Sequence, residues 1–101
     1  MKLVLVTAVE AFHNEIIQLF KEASIENFSE SDIDGYKNKT AVLVASDWFS
    51  GVKDRTNSTL FFSFTEANKI DNLFRLIKKF NNNLEINSPI RAIVVPIEKH
   101  I

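Results

Sequence analysis

Residues 59–83 read TLFFSFTEANKIDNLFRLIKKFNNN, and within this stretch the apolar pattern changes period. Thr59 to Phe64 places Leu60, Phe61 and Phe62 in succession, a nearly continuous apolar run. Such a run predicts a strand buried on both faces, and therefore a central one. From Ala67 onward the apolar residues recur at steps of three or four, as Ala67, Ile70, Leu73, Phe74, Ile77 and Phe80. Lys69, Arg75, Lys78 and Lys79 fall largely outside that stripe, which is the signature of an amphipathic helix. Thr65 is expected to cap it, with Glu66 at its positive end, and Asn81, Asn82 and Asn83 to end it.

Working outward, Ile90 to Ile97 predicts a last strand, with Pro96 at a strand end or on an edge because it lacks an N–H. At the other end of the chain, Lys2 to Thr7 is a second short, β-branched apolar run and a second candidate for the sheet centre. Thr7 and Glu10 have the spacing of a capping box, so a helix is expected to start there. Its stripe is Val9, Phe12, Ile16, Leu19, Phe20 and Ala23. Ile25 to Tyr36 is weaker: Phe28 and Ile33 have opposite parity among Ser29, Glu30, Ser31, Asp32 and Asp34, which predicts a polar edge strand. Gly35 marks its bend or the opening of a loop spanning about residues 37–57. The expected fold is α+β: a ferredoxin-like βαββαβ domain with two helices on one face of a four-stranded antiparallel sheet, its first and third strands central.

With 101 residues there is room for one domain, residues 1–101, and one two-layer core. At that size self-association would add welcome burial. Twelve basic residues against thirteen acidic ones give a net charge of −1, so nothing marks a nucleic-acid partner. The absence of cysteine excludes a disulfide framework and fits a cytoplasmic location. The apolar start stops at Ala8 and Val9, too short for a secretory signal, and no stretch approaches the roughly 18 residues of a membrane span.

Two blocks carry a family resemblance. Ala23-Ser24-Ile25-Glu26-Asn27-Phe28-Ser29-Glu30-Ser31-Asp32-Ile33-Asp34-Gly35-Tyr36 resembles the PII stretch A-G-I-x-x-(apolar)-x-x-S-(acidic)-(apolar)-x-G-(aromatic). Ile93-Val94-Val95-Pro96-Ile97-Glu98 resembles the (apolar)-F-V-(apolar)-P-V-E ending of the same proteins. The resemblance to PII signalling proteins implies a homotrimer, effector sites in clefts between subunits, and a long loop that engages a target protein such as a transporter or an enzyme. Thr7, Gly35, Tyr36, Lys37, Asn87, Ser88 and Arg91 are the cleft candidates it implies. PII proteins that bind ATP or ADP carry a T-G-x-x-G-D-G-K segment before the last strand. Here Leu84-Glu85-Ile86-Asn87-Ser88-Pro89-Ile90-Arg91 stands in its place, without a glycine or a lysine to cradle phosphate. No cofactor is therefore required, and ATP or ADP is a weakly supported ligand.

The long loop is the natural place for a partner, since structureless connections of about twenty residues are usually functional or disordered. Asp47, Trp48, Phe49, Lys53 and Arg55 are its candidate contacts; the two aromatics would serve equally to cover the chain's own core or a trimer contact. His13 and His100 are isolated, a weak metal signal in which His100 is the better candidate because a trimer could gather its copies. Glu30, Asp32 and Asp34 alternate on one strand face and read as a solvated edge before a paired-carboxylate site. No nucleophile motif, metalloprotease helix or P-loop is present, so no enzyme activity is expected. The expected function is an effector-binding regulator; the alternatives are a metal-binding trimer resembling CutA and a ligand-free trimeric adaptor.

Overall fold

The computed structural model describes residues 1–36, 55–84 and 88–101. Strand β1 (Lys2–Val9) leads through a 3-10 turn (Glu10–Phe12) into helix α1 (His13–Glu22); β2 (Ser29–Tyr36), β3 (Arg55–Thr65), α2 (Ala67–Asn82) and β4 (Arg91–Pro96) follow. All four strands form one antiparallel sheet in the order β2-β3-β1-β4. The result is an α+β architecture, compatible with a ferredoxin-like fold, with β1 and β3 as its central strands.

Register decides which residues share a face. Val4 pairs with Ser63, Val6 with Phe61 and Ala8 with Thr59, all buried. Ile16, Leu19 and Phe20 of α1 and Ile70, Leu73 and Ile77 of α2 join Val4, Val6, Ala8 and Phe61 in a single core cluster. Both helices thus cover the same face of the sheet. Aromatic contacts tie the layers: Phe20 lies 4.7 Å from Phe28 and 5.8 Å from Phe61, and Phe12 meets Phe80 edge-on at 5.5 Å.

Several local expectations are corrected. Thr7 does not cap a helix: β1 runs on to Val9, so Thr7 is a buried strand residue, and α1 begins only at His13 without a side-chain cap. Thr65 likewise belongs to β3, and Glu66 takes the N-cap position of α2 without a side-chain hydrogen bond. Strand β3 begins at Arg55, so its first residues, expected in the loop, pair with β2. Ladder pairing with an adjacent strand satisfies several backbone groups at once, whereas a cap satisfies one or two. Strand β2 starts at Ser29 and not at Ile25, because Ile25 is drawn into the core at the end of α1.

That end is built by Ser24, whose φ is 63°. The N–H of Ser24 donates to Lys21 O at 3.0 Å and that of Ile25 to Phe20 O at 2.9 Å. This pair of bonds is a Schellman motif, with the apolar contact between Ile25 and Phe20 that accompanies it. Beyond it, Ser63 Oγ donates to Asn27 O at 2.6 Å and holds the approach to β2 against β3.

Candidate functional site

The face of the sheet opposite the helices carries the most conspicuous surface of the described residues. Leu3 and Leu5 of β1 stand beside Phe64 and Phe62 of β3 on one side and Val95 and Ile93 of β4 on the other. No element of the described chain covers them. Phe64 is 56% exposed, Ile93 40% and Val95 37%, while Leu3, Leu5, Leu60 and Phe62 are half-buried by their neighbours. Phe62 and Phe64 pack edge-on, centroids 6.3 Å apart. Strand β2 adds Ser29, Ser31, Ile33 and Gly35 to this face, and β4 adds Arg91 at one corner. Arg91 is its one charge among the described residues. An antiparallel sheet with one solvated face normally alternates apolar and polar residues; here β1 is apolar on both faces, and β3 turns Leu60, Phe62 and Phe64 to the open one.

The cleft candidates fall into two groups. Thr7 pairs directly with Arg91 across β1 and β4, and with Leu60 across β1 and β3. Ser88, half-buried, lies in the stretch leading to Arg91. Gly35 and Tyr36 are at the far end of β2, opposite Thr56 and Arg55 of β3. Thr56 and Leu60 lie four positions apart along β3, roughly 13 Å. The fold therefore brings Thr7 and Arg91 together and holds Gly35 and Tyr36 apart from them within one chain. Lys37 and Asn87 lie outside the described residues, as do Asp47, Trp48, Phe49 and Lys53; Arg55 is the first residue of β3. His100 is exposed near the chain end.

Strand β2 forms the opposite edge of the sheet from β4. Glu30, Asp32 and Asp34 point to the helix side, opposite Phe61, Thr59 and Asn57, and a shallow groove runs between Glu10, Asp32, Asp34 and Asn57. His13 closes on this edge: its Nε2 lies 2.6 Å from Glu30 Oε2. No local pattern links the two, since seventeen positions separate them in the chain. Among the described residues no group of three or more His, Asp or Glu side chains is placed to hold a metal ion. Nor is any described helix long and apolar enough to cross a membrane.

No protein-family model matches this chain, and no curated protein matches it. The resemblance to PII proteins rests on the residues quoted for it.

Proposed function

We propose that this chain is a PII-like regulatory protein with a ferredoxin-like body: three copies associate, bind a small effector between subunits, and engage a target protein through the segment joining β2 to β3. The observation that carries the proposal is the uncovered apolar face of the sheet. Removing the exposed parts of Phe64, Ile93 and Val95 from water is worth roughly 1 kcal/mol apiece, and more with the half-buried residues around them. Interfaces that resemble a domain core cut in half belong to obligate, mostly homo-oligomeric assemblies. Self-association also supports the effector reading, because Thr7 and Arg91 of one copy can meet Gly35 and Tyr36 only if those come from another. An effector would act by binding one state of the target-binding segment more tightly than the other.

Sedimentation equilibrium tests the assembly, with a trimer expected and a monomer at micromolar concentration overturning it. A thermal-shift screen over nucleotides, metabolites and Cu, Zn, Ni and Co ions tests the ligand. A ligand at 100 times its Kd adds about 2.7 kcal/mol of stability. Stabilisation by a metal alone would favour the CutA-like reading, and no stabiliser at all the adaptor.

A further inference from the structure

His13 is the first residue of α1, and each of its ring nitrogens faces an acceptor. Nε2 lies 2.6 Å from Glu30 Oε2 and Nδ1 lies 3.2 Å from Asn14 Oδ1. A neutral imidazole carries one N–H and one lone pair, so only the imidazolium donates to both. The ring also rests on Phe61, centroids 5.6 Å apart, a contact that favours a cation. The charged groups facing it are Glu30 and Asp32, both from β2. Its β3 neighbour, Phe61, is uncharged; the preceding turn contributes Glu10, which shares a groove with Asp32. The hydrogen bond to Asn14 and then that to Glu30 raise the His13 pKa above the ordinary histidine value; burial opposes them, and the charges of Glu30 and Asp32 add smaller rises.

We propose that His13 is a proton-operated latch: as imidazolium it clamps the start of α1 onto edge strand β2, and its deprotonation loosens that strand. The pairing joins α1 to the edge strand β2, which runs directly into the segment joining it to β3. Because the folded-state pKa is raised, the clamp is fully present below the unfolded value near 6.5 and is lost as pH rises through the folded value. The latch depends on the fold alone. Its consequence for target binding rests on the regulator reading.

The test is an NMR titration of the His13 ring in the full chain, folded and in urea, alongside amide exchange of β2 corrected for intrinsic rate. The expected results are a folded midpoint above the urea midpoint, a fall in that midpoint in Glu30→Gln, and a loss of β2 protection relative to β1 on crossing it. That loss should be about two- to fivefold, the size an exposed ion pair supports. The Asn14→Ala variant separates the contributions: the latch predicts a lowered midpoint with β2 protection still pH-dependent. Equal midpoints in the folded and urea-unfolded chain overturn the proposal, as does β2 protection that ignores pH. Both measurements are made on the unmodified chain, so they stand even if a variant fails to fold, and neither depends on whether a target is ever found.

Discussion

At the scale of single residues, two positions show how local chemistry and tertiary setting divide the work. Ser24 takes a left-handed conformation that costs a residue with a Cβ about 1–2 kcal/mol. The PII-like pattern has glycine at this position. Ser24→Gly is accordingly expected to raise stability by roughly 1 kcal/mol and the melting temperature by about 4–8 °C, read by calorimetry; an unchanged melting temperature would contradict the assignment of the cap. Thr59 Oγ1 is buried and finds no hydrogen-bond partner among the described residues. Thr59→Val, which keeps the shape and removes the desolvated hydroxyl, should stabilise by about 1 kcal/mol in urea unfolding. A loss of stability there would mean that the hydroxyl is paired. Neither the conformation of Ser24 nor the pairing of Thr59 follows from composition or periodicity. A left-handed serine looks like any serine, and an unpaired hydroxyl exists only once its neighbours are placed.

At the scale of elements, the stripes of α1 and α2 and the apolar runs of β1 and β3 were legible because burial on one or two faces imposes a period on sequence. Their boundaries were not. Cap-like spacings at Thr7 and Thr65 lost to strand pairing, which extends β1 to Val9 and β3 from Arg55 to Thr65. The junction of α2 with β4 shows what pattern reading leaves out. The triple asparagine was expected only to end the helix, yet Asn81 reaches across to β4's approach: its Nδ2 donates to Ile90 O and its Oδ1 accepts from Ile90 N, both at 2.9 Å. Asn81→Leu removes both bonds and leaves two backbone groups facing a hydrocarbon, so a destabilisation of about 1–3 kcal/mol is expected. Chemical denaturation checks it, and a change under ~0.5 kcal/mol would show that water replaces the amide. The latch at His13 is a second tie of this kind, and its pH dependence belongs at the same scale.

At the scale of the whole molecule, the decisive feature is that helices cover one face of the sheet and leave the other apolar. Burying Phe64, Ile93 and Val95 in an assembly makes two expectations quantitative. The melting temperature should rise with protein concentration, as for any species whose folded state is stabilised by association. Phe64→Lys, at the most exposed of these positions, should shift the assembly toward monomer in sedimentation, with the helix-side core intact by circular dichroism. An assembly unaffected by that change would move the interface elsewhere. By itself the sequence determined the element types and their order, the two central strands and the polar edge, because each follows from periodicity within one short segment. Only the tertiary structure decided the register that gathers apolar residues of three strands on one open face, the union of Thr7 with Arg91, and the approach of His13 to Glu30. These depend on contacts between residues far apart in the chain, and no local pattern records such a contact.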